Sequence, residues 1–298
     1  MGIVDDKVVI SHPRGRIICD EIRQYDGSFP EGLNDYVIVG FRRSPFWKYG
    51  DVKVSTVLTI GHYSGILSIM GRYLRIRCGT RVLSLLRYLG RKGVYIDIIY
   101  PWNIYESIGG LLSVGLPMFR GIKGFIHVVS KDGESRLDID HFKKSLLPGS
   151  ILSDIHVMDG FDRVRTYSIY VKLSSSETEA VVKRLVGGGV KFSLLRDVGG
   201  FHLFTIVRQS EYRSVLEIVT KVIDKSRIIR SSMDDIDYTK MPNASSRMLY
   251  SDGISLGTCR DVDACIGSVR NIVFLSFPDL YVIGFADKID MEVLREVG

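Results

Sequence analysis

Residues 167–230 constrain the fold of this chain most, because the spacing of their apolar residues switches repeatedly between a period of two and a period near 3.6. Tyr167, Ile169, Val171 and Leu173 alternate with Ser168, Tyr170 and Lys172, as in a half-buried strand. Ser176 precedes Glu179 by three residues, a capping-box spacing. Ala180, Val181, Val182, Leu185 and Val186 then form a helical apolar face that ends at Gly187, Gly188 and Gly189. Val190, Phe192 and Leu194 return to a period of two, and Asp197-Val198-Gly199-Gly200 suits a tight hairpin. The next strand, 201–208, is apolar on both faces except at His202 and Thr205. Ser210 is placed to cap a second helix, along which Tyr212, Val215, Leu216, Val219, Val222 and Ile223 recur every three or four residues. A short strand at 227–230 closes the pattern.

The order βαββαβ predicts a ferredoxin-like antiparallel sandwich, two helices covering one face of a sheet. That arrangement hosts unrelated functions and assigns none. The fold class read from the sequence is therefore α+β.

Ahead of this unit, 7–10, 16–22, 36–41 and 52–61 read as strands, 66–78 as one long strand, 80–90 as an amphipathic helix and 94–100 as a buried strand. Together they predict a basic, strand-rich α+β domain over 1–108. Residues 109–124 hold Pro117 and repeated glycines and read as a linker or loop. Residues 125–237 then form the ferredoxin-like domain. It begins with a strand at 125–129, a helix at 138–147 starting near Asp138 or Asp140, and a strand at 151–158. Residues 238–270 read as an irregular loop, and 271–298 as a strand pair with a helical turn at 291–297.

Charge separates the two halves. Residues 1–120 hold 16 of the 40 Lys and Arg but 10 of the 34 Asp and Glu, so they carry the whole net charge of +6. That asymmetry predicts an acidic partner for the N-terminal part. No apolar run approaches the roughly 20 residues needed to cross a bilayer, and the acidic N-terminus lacks a signal-peptide pattern; a cytoplasmic location is expected. Cys19, Cys78, Cys259 and Cys265 are too scattered for a disulfide framework and lack zinc spacing.

The densest basic stretch is 72–92, with Arg72, Arg75, Arg77, Arg81, Arg87, Arg91 and Lys92 and no carboxylate. On a strand, Tyr73, Arg75 and Arg77 share one face and Leu74 and Ile76 the other. With Arg42, Arg43 and Trp47 they make a basic and aromatic surface suited to stacking on bases and neutralising phosphates. The alternative is a solvated face whose arginines pair with the chain's own carboxylates.

Signs of catalysis are weaker. The histidines (His12, His62, His127, His141, His156, His202) lack metal-ligand spacing, although His12 and His62 lie beside turns where an acid or base can act. Phosphate loops, dinucleotide fingerprints and nucleophile elbows are absent from the sequence. Asp234, Asp235 and Asp237 lack the rest of a calcium loop. No cofactor and no metal are expected. The sequence thus predicts a non-catalytic binding or regulatory protein whose N-terminal face contacts nucleic acid. A ribonuclease-like enzyme using a turn histidine, or an oligomeric assembly protein, stands as the alternative.

Overall fold

Apolar residues at every second position dominate the first 80 residues, and they build strands. The computed structural model describes residues 2–4, 7–12, 15–40, 51–96, 105–113, 118–119, 122–139, 149–159, 161–197, 200–232, 254–259, 272–277, 281–285 and 294–296. It is a mixed α+β protein with strand-rich sheets and few helices. The chain divides into two units: Met1–Leu85 with Ile104–Phe161, and Leu86–Asn103 with Asp162–Gly298.

In the first unit, β1 (Gly2–Val4), β2 (Lys7–His12), β3 (Gly15–Gln24), β4 (Tyr36–Val39) and β5 (Val52–Thr59) form one sheet in the order β1-β2-β3-β5-β4. β5 pairs in parallel with both β3 and β4. Ile10, Ile17, Cys19, Val39 and Val57 bury one patch of this sheet, and Leu58, Ile60, Tyr25, Leu33 and Tyr63 another with Ile151. A second, all-antiparallel sheet takes β6 (Ile66–Met70) and β7 (Tyr73–Arg77). After α1 (Val82–Arg91), β8 (Val94–Ile96) and α2 (Ile108–Ser113), it is completed by β9 (Gly124–Ser130), β10 (Gly133–Asp138) and β11 (Ile151–Val157), in the order β10-β9-β11-β7-β6.

Three expectations change here. The single strand at 66–78 is a hairpin: Met70 pairs with Tyr73, and Gly71 turns the chain at φ +59°, a conformation that costs glycine little. The turn sets Ile69 opposite Leu74, so the alternation changes phase across Gly71-Arg72, and Gly71 is the one residue of the stretch that marks the turn. Asp138 ends β10 instead of starting a helix, and 140–148 lie outside the described residues. Within the stretch read as a linker, Ile108–Ser113 forms α2, with Ile108, Leu111 and Leu112 buried.

The second unit contains β12 (Phe161–Arg163), which pairs with β8, then β13 (Thr166–Leu173), α3 (Ser175–Gly187), β14 (Phe192–Asp197), β15 (Gly200–Arg208), α4 (Gln209–Thr220) and β16 (Ile229–Ser232). The βαββαβ pattern is present, with neighbouring strands antiparallel. The sheet does not stop there. β14 pairs with β18 (Ile272–Phe277), and with β17 (Ile254–Cys259), β19 (Tyr281–Phe285) and β20 (Leu294–Glu296) the sheet reaches eight strands, β16-β13-β15-β14-β18-β19-β17-β20. A closed four-stranded sandwich is therefore too small a description. β20 also stands where a helical turn was expected.

Helix α3 buries Thr178, Val181, Val182 and Leu185, one face at helical spacing, each large apolar side chain contributing about 1.5–3 kcal/mol. Its cap is Ser174, two residues earlier than expected. The Glu177 carboxylate accepts from the Ser174 amide at 2.7 Å, and Ser174 Oγ accepts from the Glu177 amide at 3.4 Å. Both Ser-x-x-Glu pairs fit the motif; Arg227, which binds Glu177 at 2.5 and 3.0 Å, selects the first. Similarly α4 begins at Gln209, and Ser210 lies inside it. Lys225–Arg227 is a 3-10 turn, so the strand read at 227–230 starts at Ile229. No described helix is long and apolar enough to cross a membrane.

Candidate functional site

Three loops of the first unit meet through their backbones. The first, residues 60–65, follows β5 and closes on itself, with the Tyr63 amide bonded to the Ile60 carbonyl at 3.0 Å and the Ser64 amide to the His62 carbonyl at 2.9 Å. The second, Cys78-Gly79-Thr80, follows β7. The Gly79 amide donates to the Tyr63 carbonyl at 3.0 Å. A Cβ at Gly79 would lie 2.1 Å from the Ile60 carbonyl oxygen and 2.4 Å from that of Tyr63, so only glycine permits the approach. Thr80 Oγ1 accepts the Gly65 amide at 2.8 Å and donates to the Gly65 carbonyl at 3.1 Å. The third loop leads into α2. Its Ile108 amide donates to the Thr80 carbonyl and its Gly109 amide to the Cys78 carbonyl, at 2.9 and 2.8 Å. Gly109 and Gly110 again pack too closely for a side chain, against Cys78 and Ser107.

The amides of Gly61 and His62 meet no acceptor among the described residues. Gly61 is half-buried and His62 exposed, which leaves two donors at the rim of a glycine-packed base. Neither 60–65 nor 78–80 contains a carboxylate. Such a rim suits an anionic group, since backbone donors and nearby arginines favour negative charge.

Beneath the first loop lies a polar interior. Asp154, 1% exposed, accepts from Arg75 through Oδ2 at 2.6 and 3.3 Å. The Tyr63 hydroxyl donates to the same oxygen at 3.4 Å, and the Arg77 guanidinium lies 4.5 Å from the centre of the Tyr63 ring. Tyr25 meets that ring edge-on at 4.9 Å. Burial pushes the Tyr25 hydroxyl and the Cys78 thiol upward in pKa, so neither ionises in the neutral range.

The structure shows part of the basic stretch paired with the chain's own carboxylates, the alternative stated above. Leu74 and Ile76 are buried, and Tyr73, Arg75 and Arg77 share the other face of β7. That face is engaged from within. The Tyr73 hydroxyl is 2.7 Å from His156 Nδ1, Arg75 pairs with Asp154, and Arg77 lies on Tyr63. Arg72 pairs with Asp159 at 3.2 Å. The Arg81 backbone forms an isolated antiparallel bridge with Ser107. Arg87, Arg91 and Lys92 are exposed at α1 and just beyond it, in the second unit, with Lys92 Nζ 6.0 Å from the Tyr88 ring centre. Arg42, Arg43 and Trp47 lie outside the described residues, as does the cluster Asp234, Asp235 and Asp237. Of the turn histidines, His62 stands on the first loop; the side chain of His12 is not described. Sequence reasoning missed Gly79, Thr80, Ser107 and Gly109. Their one trace was glycine directly after an apolar strand or before an apolar helix, where close backbone approach is a standing explanation.

No protein-family model and no curated protein matches the chain. Solved structures do. A glucooligosaccharide oxidase from Acremonium strictum, described as revealing a novel flavinylation, aligns over 78% of this chain and 57% of its own, at 13% identity and a TM-score of 0.50. A second structure of that oxidase, titled for its 6-S-cysteinyl, 8α-N1-histidyl FAD, aligns with a TM-score of 0.48 at 13% identity, over the same shares of the two chains. An alkyldihydroxyacetonephosphate synthase aligns over 79% of this chain and 58% of its own, at 11% identity and a TM-score of 0.47. The likeness is one of fold. This chain spans little more than half the length of these neighbours.

The expectation of a non-catalytic, regulatory nucleic-acid binder is corrected by that likeness, since the fold is shared with an oxidase named for its flavinylation. The physical reason for the error is local: on β7 Arg75 pairs with Asp154 and Arg77 lies on Tyr63, so part of the charge that suggested a polyanion is engaged within the protein.

Proposed function

We propose that this chain binds a flavin dinucleotide and serves as part of a flavin-dependent oxidoreductase. The observation that carries the reading is the meeting of three glycine-packed loops, in a fold shared with a flavinylated oxidase. The loops fit the group. Gly79 and Gly109 admit close backbone approach between the loops, and the Gly61 and His62 amides supply donors for a diphosphate. The acidic partner called for by the charge asymmetry is then the cofactor. His62 is the candidate nucleophile for a flavin attachment, because it is exposed on the first loop while Cys19 and Cys78, the two cysteines of the first unit, are buried. When bound, the flavin supplies hydride acceptance from a reduced substrate. The protein's part is to hold and orient it.

The second unit is read as a ferredoxin-like half, β16-β13-β15-β14 with α3 and α4, enlarged by four strands. The strand order and the helix connections support this reading.

The test is titration of the purified full chain with FAD, FMN and riboflavin, followed by flavin fluorescence and visible absorption. FAD binding that exceeds FMN binding is expected, because the second nucleotide adds contacts. Unchanged spectra with all three flavins would overturn the reading. Retention of flavin after acid precipitation, and its loss in His62→Ala, tests the attachment.

A further inference from the structure

We infer that the pair between Arg75 and the buried Asp154 is a positioning device for the 60–65 loop, acting through the ring of Tyr63. For its consequence in flavin binding, this inference rests on the function proposed above.

A carboxylate as deep as Asp154 is retained only where strong partners offset its desolvation. Its partners identify its task. Asp154 Oδ1 meets no donor among the described residues, so the carboxylate is held through Oδ2, shared by Arg75 and the Tyr63 hydroxyl. Ser153, next to Asp154 on β11, donates from its hydroxyl to the Tyr63 oxygen at 3.4 Å. The Tyr63 ring is further held by Arg77 on its face and Tyr25 at its edge. At the other end of the same residue, the Tyr63 carbonyl receives the Gly79 amide, the bond that joins the first two loops.

Tyr63 thus connects a buried charge to the backbone that carries the Gly61 and His62 amides. Arg75 and Asp154 sit on the paired strands β7 and β11, where Asp154 lies opposite Arg77 and His156 opposite Arg75. The anchor therefore belongs to the sheet and not to the loop. A loop fixed in this way presents its donors without needing to be ordered by the ligand, and preorganisation of that kind raises affinity.

The experiment compares wild type, Tyr63→Phe and Asp154→Asn as full chains. Amide hydrogen exchange is followed without flavin, and FAD is titrated in parallel. Faster exchange at Gly79 and across 60–65 is expected in both variants, with Val128 and Val129 of β9 unchanged. FAD affinity should fall by about tenfold, the scale of one lost charge-assisted contact. Wild-type protection of the Gly79 amide in both variants would overturn the inference. So would a uniform loss of protection that includes β9, because that marks a merely structural role. Should Asp154→Asn fail to fold, Tyr63→Phe, which keeps the ring and removes only the hydroxyl, decides. Loss of Gly79 protection in a protein whose wild type binds no flavin leaves the positioning role intact and sinks the flavin reading alone.

Discussion

At Gly79 the distance to two carbonyl oxygens leaves no room for even a methyl group. Gly79→Ala should therefore lower the thermal midpoint of the chain by several degrees, more than Gly187→Ala, where a Cβ meets open space; calorimetry on the two variants decides. Titration gives two further expectations. Arg227 and the Ser174 amide hold the Glu177 carboxyl down to about 2. Its contribution is complete above the ordinary glutamate range and is lost as pH falls from there toward 2. The acid side of the stability curve should accordingly flatten in Glu177→Gln. His156 behaves in the opposite chemical sense. Burial, then Arg75, lowers its pKa, so the unfolded chain takes up the proton first. Stability from the neutral ring is present above the unfolded value and declines as pH drops through about 6.5. His156→Gln should weaken that decline in urea melts between neutral and mildly acid pH.

At the scale of elements, what was legible in the sequence followed from short-range pattern. Leu74 and Ile76 against Tyr73, Arg75 and Arg77 predicted both faces of β7, and Val181, Val182 and Leu185 predicted the buried side of α3. The errors came where two local solutions were equally good or where distant groups chose. Ser174 and Ser176 both begin a capping box, and Arg227, fifty residues away, favours the first. Ser174→Ala should cost about 1 kcal/mol, whereas Ser176→Ala should be nearly neutral, a contrast that chemical denaturation resolves. The hairpin at Gly71 was hidden because apolar residues continue on both sides of it and β6 carries an irregularity that blurs its alternation. The loop cluster was less legible still: Tyr63, Gly79 and Gly109 carry no shared local pattern, and only the folded sheet brings them together.

The whole molecule is two units, and among the described arginines of the N-terminal third Arg16, Arg23, Arg72 and Arg75 pair with carboxylates of the chain itself. That is why net charge pointed to an acidic partner but named the wrong class. A ligand bound only by the folded state stabilises it by about 2.7 kcal/mol at a hundredfold excess over its dissociation constant. FAD should therefore raise the melting temperature in a concentration-dependent way, with added exchange protection beginning at 60–65, 78–80 and 106–110. Protection confined to the second unit would argue against the loop cluster as the binding site.

The division of the chain has a consequence for its synthesis. Residues 86–103 belong to the unit whose remaining part starts at residue 162, so they leave the ribosome well before the strands they join. At roughly 5–20 residues per second, the roughly 65 residues between β8 and its partner β12 take about 3–13 s to appear. During that interval Val94 and Ile96, buried in the finished protein, lack the strand beside them. The nascent chain is thus most exposed to chaperones and to misassembly in its middle, and codon choice beyond residue 103 sets how long that exposure lasts.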